Sequence, residues 1–212
     1  MKAHESLQRA NAMARTAACC GVTALAALLG ACGSTNPPTH FHTLMPPATA
    51  LAVAEPKASR IDWQLLPVKV PAQADQPQWV LRVADGSVVM LEQERWIAPL
   101  ADEIHAALVD RLTKSLGPPA AGPAAAGSAT SWRMTVDVRR FELVADREAR
   151  LEADWWIGHG DTNVGCHSAF VQQPSAPGYA ALAAAQQRAV GQLADAMSAA
   201  LEELIKARHI GC

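Results

Sequence analysis

The chain has 212 residues, half of them apolar and 18% charged, with a formal charge of −2. That balance excludes a disordered polyelectrolyte, and no clustered basic footprint points to nucleic acid. What remains is a globular chain long enough to bury a sizeable core.

The first segment reads as an export signal. Lys2, Arg9 and Arg15 precede an apolar run from Ala17 to Leu29, and Leu29-Gly30-Ala31-Cys32 closes it as a lipobox, small or aliphatic residues leading into one cysteine. The run has about 13 residues, whereas a helix crossing a bilayer needs roughly 20, so a cleaved signal fits better than a retained anchor. Cleavage over 1–31 makes Cys32 the first residue of the mature chain, bearing thioether-linked diacylglycerol and an acyl chain on its amino group; no other cofactor is expected. Several acyl chains hold a protein on a membrane where one would not. Gly33 stands where an aspartate would signal inner-membrane retention, which favours the periplasmic face of the outer membrane. A plain signal peptide or a mitochondrial-type presequence with a chance cysteine is the alternative. Three basic residues and one acidic residue leave with the signal, so 15 Lys and Arg then face 19 Asp and Glu, a mature charge of −4.

Residues 32–60 read as a tether, broken by Pro37, Pro38, Pro46, Pro47 and Pro56. Phe41-His42-Thr43-Leu44 is its one apolar island and reads as a short strand. His40 and His42 share a face in such a strand, but no third ligand stands near them and no metal is expected.

Residues 61–212 read as a single domain. Ile61–Val70 alternates as a strand in which Pro67 marks an edge or a bulge. Gln78–Leu91 reads as a hairpin about Asp85-Gly86, with Trp79, Leu81, Val83, Val88 and Met90 on its core face. Pro99 then opens a helix whose Leu100, Ile104, Leu108 and Leu112 recur every four residues, and Gly117-Pro118-Pro119 stops it. The Ala, Gly and Pro run from Gly117 to Thr130 is a loop. Trp132–Val144, with a bulge at Arg139-Arg140, Glu148–Ile157 and Val164–Gln172 form a three-stranded meander. Pro177-Gly178 opens a long C-terminal helix to about Arg208, apolar at Tyr179, Leu182, Val190, Leu193, Met197, Leu201 and Leu204. The expected fold is therefore α+β, a mostly antiparallel sheet with helices packed on one face.

Chemistry is sparse. There is no Gly-rich phosphate loop, CxxC pair, HExxH or Gly-x-Ser-x-Gly elbow, and no enzyme is expected. The best set that can be assembled, His159, Asp161 and His167 with Cys166 as nucleophile, lies in and beside a turn where polar residues belong anyway. In a regular strand His167 faces away from Cys166. In an oxidising compartment Cys166 and Cys212 are a possible disulfide; a buried thiol at Cys166 and a free or intermolecular one at Cys212 are the alternatives. Trp79, Trp96 and Trp156 are the aromatics to examine for exposed contacts.

Several stretches are similar to one family. Phe41-His42-Thr43-Leu44, Val68-Lys69-Val70-Pro71, Gln76-Pro77-Gln78-Trp79-Val80-Leu81-Arg82 and Glu94-Arg95-Trp96-Ile97-Ala98-Pro99-Leu100 follow one another as in the ABC-type transport auxiliary lipoproteins, the PqiC/YmbA-like group. That resemblance implies a non-catalytic outer-membrane lipoprotein serving an MCE-type intermembrane lipid transport system. Its implied partners are a periplasmic MCE-domain protein and, through it, an ABC permease and ATPase, with the lipoprotein forming a homo-oligomeric ring. It also implies that the helix-entrance residues Arg95, Trp96, Pro99 and Leu100 are structural. A general envelope-assembly or cell-wall-associated lipoprotein, tied to no transporter, is the rival reading.

Overall fold

The computed structural model describes residues 37–47, 61–83, 85–120 and 131–207. Cys32 and Cys212 lie outside them. The larger of two compact units spans Thr39–Cys212; of the other, Met1–Pro38, only Pro37 and Pro38 are described, both exposed. Part of the stretch read as tether is thus a piece of the folded unit.

Among the described residues, seven strands and two helices follow in the order β1 (His40–His42), β2 (Trp63–Leu65), β3 (Gln78–Arg82), β4 (Val88–Trp96), α1 (Leu100–Leu116), β5 (Trp132–Val144), β6 (Glu148–His159), β7 (Thr162–Gln172) and α2 (Tyr179–Ala207). The sheet order is β1-β4-β3-β5-β6-β7, with β2 also pairing β5. The β3–β4 hairpin and the β5–β6–β7 meander are antiparallel, and the ladder shifts between Val138 and Arg140, where the arginine pair interrupts the alternation.

The expectation of a mostly antiparallel sheet needs correction, because the sheet is mixed. β1 runs parallel to β4, and β2, an isolated bridge at Lys69 and β3 run parallel to β5 one after another, matching Trp63 to Trp132, Lys69 to Asp137 and Leu81 to Leu143. The cause is the crossover. A helix between β4 and β5 lets the chain return in the direction of the segment before the hairpin, which a tight turn cannot do. Pro67 falls in the gap between β2 and Lys69, where no ladder bond is required of it.

α1 begins at Pro99, which serves as its N-cap with φ −50°, and ends at Gly117, whose φ of 87° only glycine adopts freely. Leu100, Ile104, Leu108, Leu112 and Leu116 are buried along one stripe. α2, at 1.5 Å per residue about 43 Å long, lies on β6 and β7 and against α1. Beneath it Ala149, Leu151, Ala153, Trp155 and Ile157 of β6 are buried, the period-two face of a strand flanked on both sides.

The hairpin brings a second correction. Val89 pairs with Leu81 and Leu91 with Trp79, so Val88 and Met90, expected on the core face, point the other way and are exposed. The hairpin turn itself is as expected, with Gly86 at φ 86° and Ser87 N donating to Asp85 Oδ1 at 2.8 Å.

Candidate functional site

The most elaborate polar arrangement in the fold holds the segment Thr39–Pro47, the entry to the folded unit. β1 is only three residues long and lies at the sheet edge, too short to be held by ladder bonds alone. Three buried or half-buried side chains, one from each neighbouring element, make up the difference.

Glu94 of β4 is 6% exposed and sits opposite His40 in the ladder. His40 Nδ1 lies 2.9 Å from its Oε1 and His42 Nε2 lies 2.5 Å from its Oε2. An ionised carboxylate can only accept, so both imidazoles donate to it. The predicted shared face of His40 and His42 is real, but a carboxylate occupies it; among the described residues no group of three or more His, Cys, Asp or Glu side chains is arranged to hold a metal ion. Burial pushes the Glu94 carboxyl up, while its hydrogen bonds to His42 and then His40, with their charge, pull harder and leave it below the ordinary glutamate range.

From α1, Glu103, 5% exposed, accepts from Thr43 Oγ1 and from the backbone N–H of Leu44, each at 2.7 Å. From α2, Gln187 Nε2 donates to Thr43 O at 2.9 Å and Met45 O at 3.3 Å. An aromatic row completes the lock. The His42 ring lies 4.2 Å from Trp79, Trp79 lies 4.9 Å from Trp96, and Trp96 meets Phe141 edge-on at 5.8 Å. Trp79 and Trp96 are therefore core residues and not exposed contacts, at 0% and 5% exposure. Trp156 is half-buried and lies over Gly165, where a Cβ would come within 2.6 Å of its Nε1.

Two expected outcomes test this joint. Glu103→Ala leaves the buried Leu44 N–H without its acceptor and costs about 1–3 kcal/mol, read as a lower denaturation midpoint and faster hydrogen exchange at Leu44. Glu94 carries a pH signature. Because its carboxyl titrates lower folded than unfolded, its contribution is complete above the unfolded value of ~4.3 and is lost as pH falls through the folded value. Thermal melts of the wild type and Glu94→Gln should differ near neutral pH and converge in acid; a gap independent of pH contradicts the clamp.

At the helix entrance the four residues divide between core and surface, with Trp96 on the core side. Leu100 is buried, Pro99 caps α1, and Arg95 points outward, its Nε donating to Glu92 O at 3.2 Å. His159, His167 and Cys166 do not converge on one point. His167 bonds Asp154 at 2.8 Å on the face away from Cys166, and His159 stacks on Trp132 at 4.5 Å. Cys166 is buried and disulfide-bonded; Cys212 lies outside the described residues. A groove of about 610 Å³ runs between α1 and α2 beside Pro46 and Pro47, but its charges are spoken for: Arg111 by Asp195 at 2.7 Å, Lys114 by Asp110, and Arg188 by Gln173 O at 2.6 Å.

Sequence reasoning missed Glu94, Glu103 and Gln187. The available signal was a carboxylate beside Ile104 on the apolar stripe of α1, and an amide in the alanine-rich face of α2.

Residues 42–198 match the family described as the ABC-type transport auxiliary lipoprotein component. No curated protein matches the chain. Among solved structures, an uncharacterized protein aligns with a TM-score of 0.64 at 17% identity, covering 78% of this chain and 99% of its own. A Xanthomonas campestris protein of the DUF330 family aligns with a TM-score of 0.54 at 20% identity, covering 75% and 91%. At these identities the two structures speak for the fold alone.

Proposed function

The chain belongs to the ABC-type transport auxiliary lipoprotein family, and from that membership we propose that it is the outer-membrane subunit of an MCE-type system moving lipid between the two membranes. Cys32 carries the diacylglycerol and acyl chain, and the folded unit docks the periplasmic MCE-domain protein as one copy in a homo-oligomeric ring. Through that protein it is joined to the permease and ATPase. The observation that carries the reading is the family match across nearly all of the folded unit.

The physical layout supports it. No helix among the described residues is long and apolar enough to cross a membrane; in this reading the acylated Cys32 supplies the attachment. Thr39 is seven residues on from Cys32, and at ~3.4 Å per step the chain between them spans at most about 24 Å. A pull on the anchor is thus passed within a short distance to β1, and from there to the buried groups of β4, α1 and α2. Such a joint suits a part that must hold its position between a membrane and a large assembly.

Density-gradient separation of inner and outer membranes tests the location. The protein should band with outer-membrane markers; banding with the inner membrane overturns the outer-membrane assignment.

A further inference from the structure

The face of the sheet turned away from the helices divides into two unlike halves. Over β5, β6 and β7 it is laced with ion pairs, Arg139 with Asp154 at 3.0 Å and Asp137 at 3.3 Å and Arg140 with Glu152 at 3.5 Å, and with a hydrogen bond between His167 and Asp154 at 2.8 Å. Such a surface belongs in water. Over β1 and β4 it exposes large apolar side chains among a few polar ones, Glu92, Gln93 and Arg95. Glu94 and Trp96 point into the core, so Arg95 and Ile97 between and beyond them point out, and Phe41, opposite Arg95 in the ladder, points out with them. Phe41 is 62% and Ile97 66% exposed, the two most exposed large apolar side chains described. Val88 and Met90, opposite Arg82 and Val80 and turned away from Trp79 and Leu81, extend the same face along β4 at 53% and 43%.

We propose that this β1–β4 end of the open face rests on the bilayer surface, with Phe41, Ile97, Met90 and Val88 entering the headgroup–acyl boundary and Arg95 reaching a lipid phosphate. The proposal depends on the acylation of Cys32 described above and adds to it where and how the folded unit meets the lipid. Chain length identifies the occupant. Phe41 is nine residues from Cys32, at most about 31 Å of extended chain, so a bilayer is within reach of this patch at all times. A short tether holds its ends together at an effective concentration in the millimolar range, at which a contact too weak to bind alone is populated. The composition suits an interface. Arg95 stands between Phe41 of β1 and Gln78 of β3, with Ile97 beyond it; besides its bond to Glu92 O it has one distant, exposed acidic partner among the described residues, Glu92 at 3.9 Å, which contributes little in water. A guanidinium so placed can turn to phosphate while its neighbours enter the apolar layer. Asp85 and Glu92 limit the depth, so the face lies along the headgroups and does not plunge through them.

The test uses the full-length acylated protein in vesicles of phosphatidylethanolamine and phosphatidylglycerol, with an environment-sensitive fluorophore on Ile97→Cys or, as reference, on Asp161→Cys in the β6–β7 turn. At 97 the emission should shift to the blue and fall by about half with doxyl-labelled lipid, as for a group ~5–10 Å into the boundary; at 161 it should do neither. A water-like, unquenched label at 97 on protein that floats with the vesicles overturns the proposal and leaves the anchor standing. A label shielded from water but untouched by lipid-borne quencher means that a protein or a second copy covers the patch, and also overturns it. Failure to float removes the anchor reading, and this proposal with it.

Discussion

Placed behind an ordinary cleavable export signal in place of residues 1–32, the chain from Gly33 onward should leave the membrane and appear in the soluble periplasmic fraction. Each buried CH₂ of an acyl chain contributes ~0.8 kcal/mol, and one chain gives only marginal, reversible attachment, whereas diacylglycerol with an N-acyl chain anchors stably. The β1–β4 face alone does not replace that, because without the tether its effective concentration at the bilayer falls from millimolar to that of free protein. Replacing the whole signal, and not Cys32 alone, avoids an uncleaved apolar segment that would hold the chain on a membrane for a trivial reason. Quantitative recovery in the membrane pellet after a salt wash would show that something other than Cys32 does the holding.

The second large effect is expected at Trp96. Trp96→Ala removes a side chain packed between Trp79 and Phe141 and should cost about 3–5 kcal/mol, a large share of the ~5–15 kcal/mol that holds a domain of this kind together. Arg95→Ala, one residue away but pointing into solvent with a weak partner, should stay within ~0.5 kcal/mol. Denaturant midpoints of the two variants decide whether this stretch is built for packing. Near-equal losses, or a larger loss at Arg95, would contradict the structural assignment of the helix entrance.

The sequence was most legible where one residue type leaves few conformations open. Pro99 and Gly117 bounded α1, Asp85-Gly86 marked the hairpin turn, and the doublet Arg139-Arg140 marked the break in β5. Period-two alternation identified the faces of β5 and β6 because both strands have a neighbour on either side and one wall of helices. The same alternation does not encode direction, so the parallel pairing of the 61–82 segment with β5 was invisible; nothing in Trp63, Lys69 or Leu81 differs between parallel and antiparallel neighbours. Val88 and Met90 failed for another reason. Apolar residues stand at 88, 89, 90 and 91 in a row, and a run with no alternation leaves the face to be set by register, which only the pairing of Leu81 with Val89 fixes.

The site was half legible. The apolar island at Phe41 and the shared face of His40 and His42 were readable from spacing, but the group they face comes from residue 94, fifty-two residues beyond His42, and no local pattern links them. Glu103 and Gln187 were hidden for the same reason, as polar residues whose burial is justified only by a backbone segment from elsewhere in the chain. The disulfide expected between Cys166 and Cys212 remains a proposal for the pairing, with Cys166 bonded and Cys212 beyond the described residues.

The measurement closest to the central claim is recovery of partners. The acylated protein, tagged at its C-terminus, is isolated from gently solubilised membranes and what accompanies it is identified by mass spectrometry. The account predicts an MCE-domain protein in amounts comparable to the bait, with the permease and ATPase at lower recovery behind it. Cell-wall or envelope-assembly proteins in its place, with no component of an ABC system, would contradict the transport role and leave the fold and the buried joint at β1 as they stand.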